Sequence, residues 1–83
     1  MQYENIGPLN PRFNLEVAQY ISHSPPYVQT RCLADFFQAL KTGEVRVPCK
    51  RFNENYILVS VCGCIIHFTN GGLRVDRIEP GVL

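Results

Sequence analysis

The sequence predicts an α+β fold in which two N-terminal helices pack on one face of a three-stranded antiparallel β-meander. Apolar residues recur with a helical period in the first half of the chain and with a period of two beyond residue 44. The predicted connections are short, which favours antiparallel neighbours. A chain of 83 residues has room for a single domain. We expect residues 1–83 to form an extended arm (1–10), the helices (11–43) and an antiparallel sheet (44–80).

The first ten residues are rich in turn-forming glycine, proline and asparagine, and they predict an arm without regular structure. The first helix is expected to begin at Asn10, with proline in the first helical position, or at Asn14. Either side chain can cap the unpaired amides of a helix N-terminus. Pro25 and Pro26 end this helix, because proline lacks a backbone donor and restricts the residue before it.

The second helix has the clearest pattern in the chain. It is expected to begin near Thr30 and to end at Gly43, which we expect in a left-handed conformation. Apolar residues at i, i+3, i+4 and i+7 predict one buried stripe on this helix. The residues of that stripe are Leu33, Phe36, Phe37 and Leu40.

The first predicted strand begins after residue 44, where Val45, Val47 and Cys49 alternate with polar residues and a proline. Such alternation is typical of a strand with one buried face. Because Pro48 cannot donate a hydrogen bond, we expect this strand at an edge of the sheet or with a bulge at that residue. The polar residues 53–55 predict the turn that follows.

The next segment, 56–68, is apolar at both odd and even positions, which predicts one long strand with two apolar faces. Drawn straight, it would span roughly 43 Å, whereas a compact chain of this size is about 30 Å across. The strand must therefore bend, break or project, and Gly63 is the expected position of a bend or bulge. Asn70-Gly71 then predicts a tight hairpin into a third strand, which ends at Pro80.

The composition narrows the functional class. A hydrophobic content of 46% and a charged content of 18% predict a folded chain. A net charge of +1 gives no strong field for nucleic acid or membranes. No apolar run reaches the roughly 18 residues of a membrane helix, and no secretory signal is recognisable. We expect a cytoplasmic protein without membrane association, whose four cysteines are reduced and buried.

Cys49, Cys62, Cys64 and His67 could suggest a metal site, because thiolates and imidazoles bind zinc. On one strand, however, positions 62 and 64 share a face that 67 does not, and the two-residue spacing of a zinc knuckle is absent. A catalytic thiol would need His23 or His67 as its base. No phosphate-binding loop, carboxylate pair or nucleophile elbow is present. We therefore expect no catalytic residues, no metal and no cofactor.

The apolar residues of the sheet exceed what two helices can cover, and this surplus predicts a small protein-interaction or regulatory module without enzymatic activity. Its partner would be another protein or a second copy in a homodimer. A bend at Gly63 would instead let a monomer cover its own surface. The residues expected to form the interaction surface are Arg46, Lys50, Tyr56, Leu58 and Arg74.

Nucleic-acid binding is the alternative hypothesis, and a thiol or metal enzyme is the second alternative. Two helices followed by a hairpin permit a winged-helix-like arrangement, in which the second helix and residues 50–55 contact the duplex. The segment between the helices is longer than a helix-turn-helix allows, and Asp35 interrupts the basic face of the second helix. The sequence therefore does not favour nucleic acid as the partner. The basic residues that could contact it on the sheet are Arg46, Lys50, Arg51, Arg74 and Arg77.

Overall fold

A computed structural model describes residues 3–8, 11–23, 28–43, 45–72 and 74–83. Within them lie two helices and an antiparallel sheet of five strands in the order β1-β2-β3-β4-β5. The elements are β1 Tyr3–Ile6, α1 Pro11–Ser22, α2 Thr30–Thr42, β2 Val45–Arg51, β3 Ile57–Val61, β4 Cys64–Thr69 and β5 Arg74–Pro80. The α+β class is confirmed, and the prediction of three strands is wrong.

The first additional strand, β1, lies in the segment predicted as an arm without regular structure. It pairs antiparallel with β2, with Ile6 opposite Val45. Ile6 is buried in the core, and the Oε2 atom of Glu4 accepts a 2.7 Å hydrogen bond from Nη2 of Arg51. This bond holds the pKa of the Glu4 carboxyl below its usual value. Strand β1 is held by one buried apolar residue, Ile6, and by one ion pair. A single apolar position gives no alternating pattern, so the sequence does not reveal this strand.

The second additional strand arises because segment 56–68 reverses direction at Cys62-Gly63. Both loop residues have positive φ, 56° at Cys62 and 71° at Gly63, as the two-residue loop of a type I′ hairpin requires. Val61 pairs with Cys64 across the loop. The segment therefore breaks into the antiparallel strands β3 and β4 at the glycine where a bend was predicted.

The reversal also explains why this segment is apolar at odd and even positions. Because Val61 and Cys64 are directly opposite each other, odd-numbered residues of β3 share a face with even-numbered residues of β4. The residues on that inner face are Ile57, Val59, Val61, Cys64, Ile66 and Phe68. The residues on the other face are Leu58, Ser60, Ile65 and His67. The prediction of one strand with two apolar faces is therefore wrong.

The helices cover the inner face of the sheet. Phe37 of α2 meets Phe68 of β4 edge to face, with ring centroids 6.4 Å apart. The four residues of the predicted α2 stripe are all buried, which confirms that part of the prediction. Inner-face residues that are aligned across β2 to β5 are Cys49, Val59, Ile66 and Ile78. Neither described helix packs on the opposite face, which we call the open face.

Three local predictions need correction. Strand β2 is not at an edge, because it pairs with β1 as far as Pro48 and with β3 from Cys49 onward. Pro48 thus lies where one ladder ends and the other begins. Gly43 ends α2 in extended backbone, with φ −173° and ψ −168°, and not in a left-handed turn. Asn70 and Gly71 have the predicted positive φ, but they form a 3₁₀ turn, Asn70–Gly72, and not a two-residue loop.

The helix starts agree with the sequence pattern, at Pro11 and Thr30. The proposed cap Asn10 and the terminating prolines 25 and 26 lie outside the described residues. Neither α1 nor α2 has the length and apolar character needed to cross a membrane.

A disulfide joins Cys32 of α2 to Cys62 of the β3–β4 loop, with Cα atoms 6.0 Å apart. Cys49 and Cys64 are free and buried. The prediction of reduced thiols is therefore wrong for one pair of cysteines. The bond links the helical layer to the sheet across a sequence separation of 30 residues.

Candidate binding surface on the open sheet face

The centre of the open face is a row of side chains that crosses four strands. Lys50 is opposite Leu58, Leu58 is opposite His67, and His67 is opposite Arg77. Three strand spacings of about 4.8 Å give this row a length of about 14 Å. A cation lies at each end, and an aliphatic side chain and an imidazole lie between them.

By strand register, all five residues predicted from the sequence as an interaction surface occupy positions on this face, and Arg74, at the sheet edge, also lines the groove between α1 and β5. Arg46 and Lys50 alternate away from the buried residues of β2. Leu58 belongs to the central row, and Arg74 is opposite Thr69. Tyr56 precedes β3 and contacts His67 through its hydroxyl. Arg51, which the sequence also offered as a basic contact, lies on the inner side of β2 and pairs with Glu4 there.

Three rings form a continuous cluster on the open face. The Phe52 and Tyr56 centroids are 6.0 Å apart, and the Tyr56 and His67 centroids are 5.7 Å apart. The Nζ atom of Lys50 lies 5.2 Å from the centroid of the Phe52 ring, within cation–π range. Phe52 is 56% exposed and His67 only 4%. The cluster therefore leads from an exposed ring to a buried one.

The β2–β3 loop fixes the position of two of these rings. The Oδ1 atom of Asn53 accepts hydrogen bonds from the backbone N–H groups of Asn55 at 2.7 Å and Tyr56 at 2.9 Å. The Phe52 N–H donates to the Tyr56 carbonyl at 3.1 Å. An asparagine side chain that bonds to nearby backbone groups stabilises a tight loop. The loop thus holds Phe52 and Tyr56 against each other.

His67 is the one polar residue that is buried in the part of the chain that the structure describes. Its Nδ1 shares a 2.5 Å hydrogen bond with the Tyr56 hydroxyl. Its Nε2 lies 3.0 Å from Oε1 of Glu79, close enough for an ion pair but outside hydrogen-bond geometry. Arg77 lies 3.9 Å from the same carboxylate. The imidazole can position the side chains of Tyr56 and Glu79. It is too deeply buried to act as a base on a ligand.

The open face is more basic than the net charge of the protein suggests. Its cations are Arg46, Lys50, Arg74 and Arg77. Among the described strand residues, regular alternation places one acid, Glu79, on this face, and that acid contacts His67 and Arg77. A local cluster of like charges gives a positive potential that the net charge of +1 does not reveal.

The free thiols are in a poor setting for nucleophilic chemistry. Burial raises the pKa of Cys49 to about 11, and a hydrogen bond to the Glu4 carboxylate adds to this effect. A nucleophilic cysteine needs the opposite shift. Cys64 is buried, and its Sγ lies 3.5 Å from the Cys62 carbonyl oxygen. The disulfide removes Cys62 as a thiolate, and no group of metal-binding side chains occurs among the described residues.

A second feature is the groove between α1 and β5, where the sheet has a free edge. The Tyr20 hydroxyl accepts a 3.1 Å hydrogen bond from the Ile78 N–H and donates one of 3.2 Å to the Asp76 carbonyl. Those two backbone groups are the ones that another strand would use. Tyr20 therefore protects this edge from strand addition.

Sequence patterns miss two residues of the open face. Phe52 continues the alternation of β2 beyond its last residue, so a signal for its position exists in the sequence. From the sequence, His67 is considered only as a metal ligand or a base, but it lies buried at the centre of the face. Its burial follows from the strand register, which no local pattern gives.

Comparison of the chain with protein-family models, with curated proteins and with solved structures finds no match. The chemistry of the open face is therefore the basis for a functional assignment.

Proposed function

We propose that the protein is a binding module whose working surface is the open face and whose partner is an acidic macromolecule. The observation that supports this is the collection of four cations on one sheet face, around a ring cluster. Complementary charge speeds encounter and selects partners. Aromatic and arginine side chains are also the types that contribute most to binding energy at interfaces.

The same composition favours an acidic partner over a face-to-face homodimer. Leu58 and Ile65 are the aliphatic residues that the register places on the open face, and both are partly exposed. Obligate dimer interfaces are more apolar than this. Two copies meeting through this face would also bring like charges together. A partner with carboxylates, sulfates or phosphates would pair with these cations.

The proposal can be tested with a short fluorescent heparin fragment, a polyanion without bases, by measuring its anisotropy at low salt. Arg46→Glu with Lys50→Glu reverses two charges on the open face. Arg31→Glu with Lys41→Glu makes the same change in net charge on exposed positions of α2. We expect the open-face variant to lower affinity at least tenfold and the α2 variant to change it less than threefold.

Equal losses in the two variants would show that only net charge matters, and the proposal would fail. It would also fail if neither variant weakened binding. Circular dichroism of both variants checks that the fold is intact, which is expected because all four side chains are exposed.

A further inference from the structure

We infer that the acidic partner is a single-stranded nucleic acid, whose bases stack on the ring cluster and whose phosphates contact the surrounding cations. This inference rests on the proposed function and adds the chemical class of the ligand. It depends on the exposure and position of the rings, whereas the test of the proposed function depends on the cations alone.

The rings are available to a ligand. Phe52 is 56% exposed, and its ring lies at the open end of the cluster with Tyr56. Tyr3, opposite Pro48 on β1, offers a second exposed ring on the same face. Exposed apolar surface that is grouped on one face, unlike singly scattered apolar residues, is typical of an interaction site. Unpaired bases stack on such rings, as on other sheet platforms that bind single strands.

The arginines lie around the rings, and Lys50 lies over the outermost ring, with its Nζ 5.2 Å from the centroid of Phe52. Arg46 and Lys50 are four residues apart on β2, or about 13 Å. Lys50 and Arg77 end the central row, about 14 Å apart. Between these ends lie Leu58 and His67, against which Tyr56 packs. The rim therefore suits phosphates, while the centre suits flat apolar groups.

This arrangement distinguishes a single strand from the other acidic partners. A duplex keeps its bases stacked on each other and presents phosphates to a flat surface. An acidic protein or a sulfated polysaccharide would use the cations but would gain little from an exposed phenylalanine ring. Stacking on Phe52 is the interaction that only unpaired bases supply with regular spacing.

The test uses fluorescein-labelled oligothymidine, the same oligonucleotide in a duplex with oligoadenosine, and the heparin fragment. We expect the single strand to bind the wild-type protein more tightly than the duplex. Phe52→Leu removes the ring but keeps an apolar side chain, and it should weaken oligothymidine binding roughly 5- to 150-fold. Heparin binding should not change. Leu15→Ala, at a 65% exposed apolar position on α1, is the matched control and should affect neither ligand.

A second variant gives a direct signal of stacking. The protein has no tryptophan, so Phe52→Trp introduces a single tryptophan fluorophore at this position. Oligothymidine should bind this variant at least as tightly as the wild type and should quench the indole fluorescence, whereas heparin should not quench it. Contact with three or four phosphates also predicts that log affinity falls with log salt with a slope of about −2 to −3.

Three results would overturn the inference. They are equal affinity for duplex and single strand, unchanged oligothymidine binding by Phe52→Leu, and no quenching in Phe52→Trp at saturating oligothymidine. If heparin binding still required Arg46 and Lys50, the proposed function would stand and only the single-strand inference would fall. If neither heparin nor oligothymidine binding were weakened by reversing those two charges, the proposed function itself would fall.

Discussion

Loss of the Cys32–Cys62 disulfide is expected to remove much of the stability of this domain. The bond closes a loop with a sequence separation of 30 residues. Loop entropy of −2.1 − 1.5R ln n then gives about −12 cal/mol/K, or about 3.6 kcal/mol at 25 °C. Small domains are stable by only about 5–15 kcal/mol. Reduction should therefore be a large perturbation even though the two sulfur atoms lie near the surface.

Two measurements check this expectation. Titration of thiols in denaturant without reductant should find two free thiols per chain, those of Cys49 and Cys64. Urea unfolding with and without a reductant should then differ by about 3.6 M in midpoint, for a slope of roughly 1 kcal/mol/M. Cys32→Ser should match reduction and should be insensitive to reductant. Cys62→Gly should be less destabilising than Cys62→Ser by about 1 kcal/mol, because residue 62 has a φ of 56°.

Two results would contradict the expected role of the disulfide. A count of four free thiols would show that the cysteines are not paired. If the cysteines are paired but full reduction lowers the free energy of unfolding by less than about 1 kcal/mol, the loop-entropy estimate does not apply to this bond.

Three further predictions concern single side chains. Gly7→Ala should lower the free energy of unfolding, measured by urea denaturation, by about 1–3 kcal/mol. The reason is that Gly7 has a φ of +142° and an added Cβ would lie 2.7 Å from the Gly43 carbonyl oxygen. An unchanged urea midpoint would contradict this. Iodoacetamide should modify Cys49 at pH 8 at least tenfold more slowly in the folded protein than in urea, followed by mass spectrometry of its peptide. The pKa of Cys49 is about 11 in the folded protein, above its ordinary value of 9.0. The contribution of this shift to the free energy of unfolding is therefore complete below pH 9 and is lost as the pH rises towards 11. Rapid labelling of Cys49 at pH 8 would contradict the prediction. Tyr20→Phe should cost about 1 kcal/mol by leaving the buried Ile78 N–H unpaired. Sedimentation should also show self-association of this variant that increases with concentration, and a monomer of wild-type stability would be the contrary result.

The helical half of the fold is predictable because its signals are local. In α2 the apolar period, the start at Thr30 and the four buried stripe residues all follow from contacts within one helix and its single packing face. The end at Gly43 is correct in position but not in conformation, since extended backbone can also end a helix. Local patterns therefore predict the helix and its buried face, but they do not determine the backbone conformation at its C-terminal end.

The sheet is less predictable because its strands are defined by partners distant in sequence. Asn70-Gly71 is recognisable as a turn, since asparagine and glycine tolerate positive φ. Cys62 and Gly63 also have positive φ, but cysteine is apolar and atypical of turns. Its disulfide with Cys32 provides a tertiary reason for cysteine at this position. No pattern within segment 56–68 contains that information.

The missed hairpin also changes the functional argument, because strand parity decides which side chains face a partner. In a straight strand, the side chains on the same face as Leu58 would include Ile66 and Phe68, and this apolar surface is what predicts a homodimer. In the hairpin, both of these side chains enter the core, and Ile65 and His67 take their place on the open face. The cations on β2 precede the hairpin and keep their positions. The same five predicted residues therefore lie together on a face whose character is basic and aromatic, which favours an anionic ligand over an apolar partner.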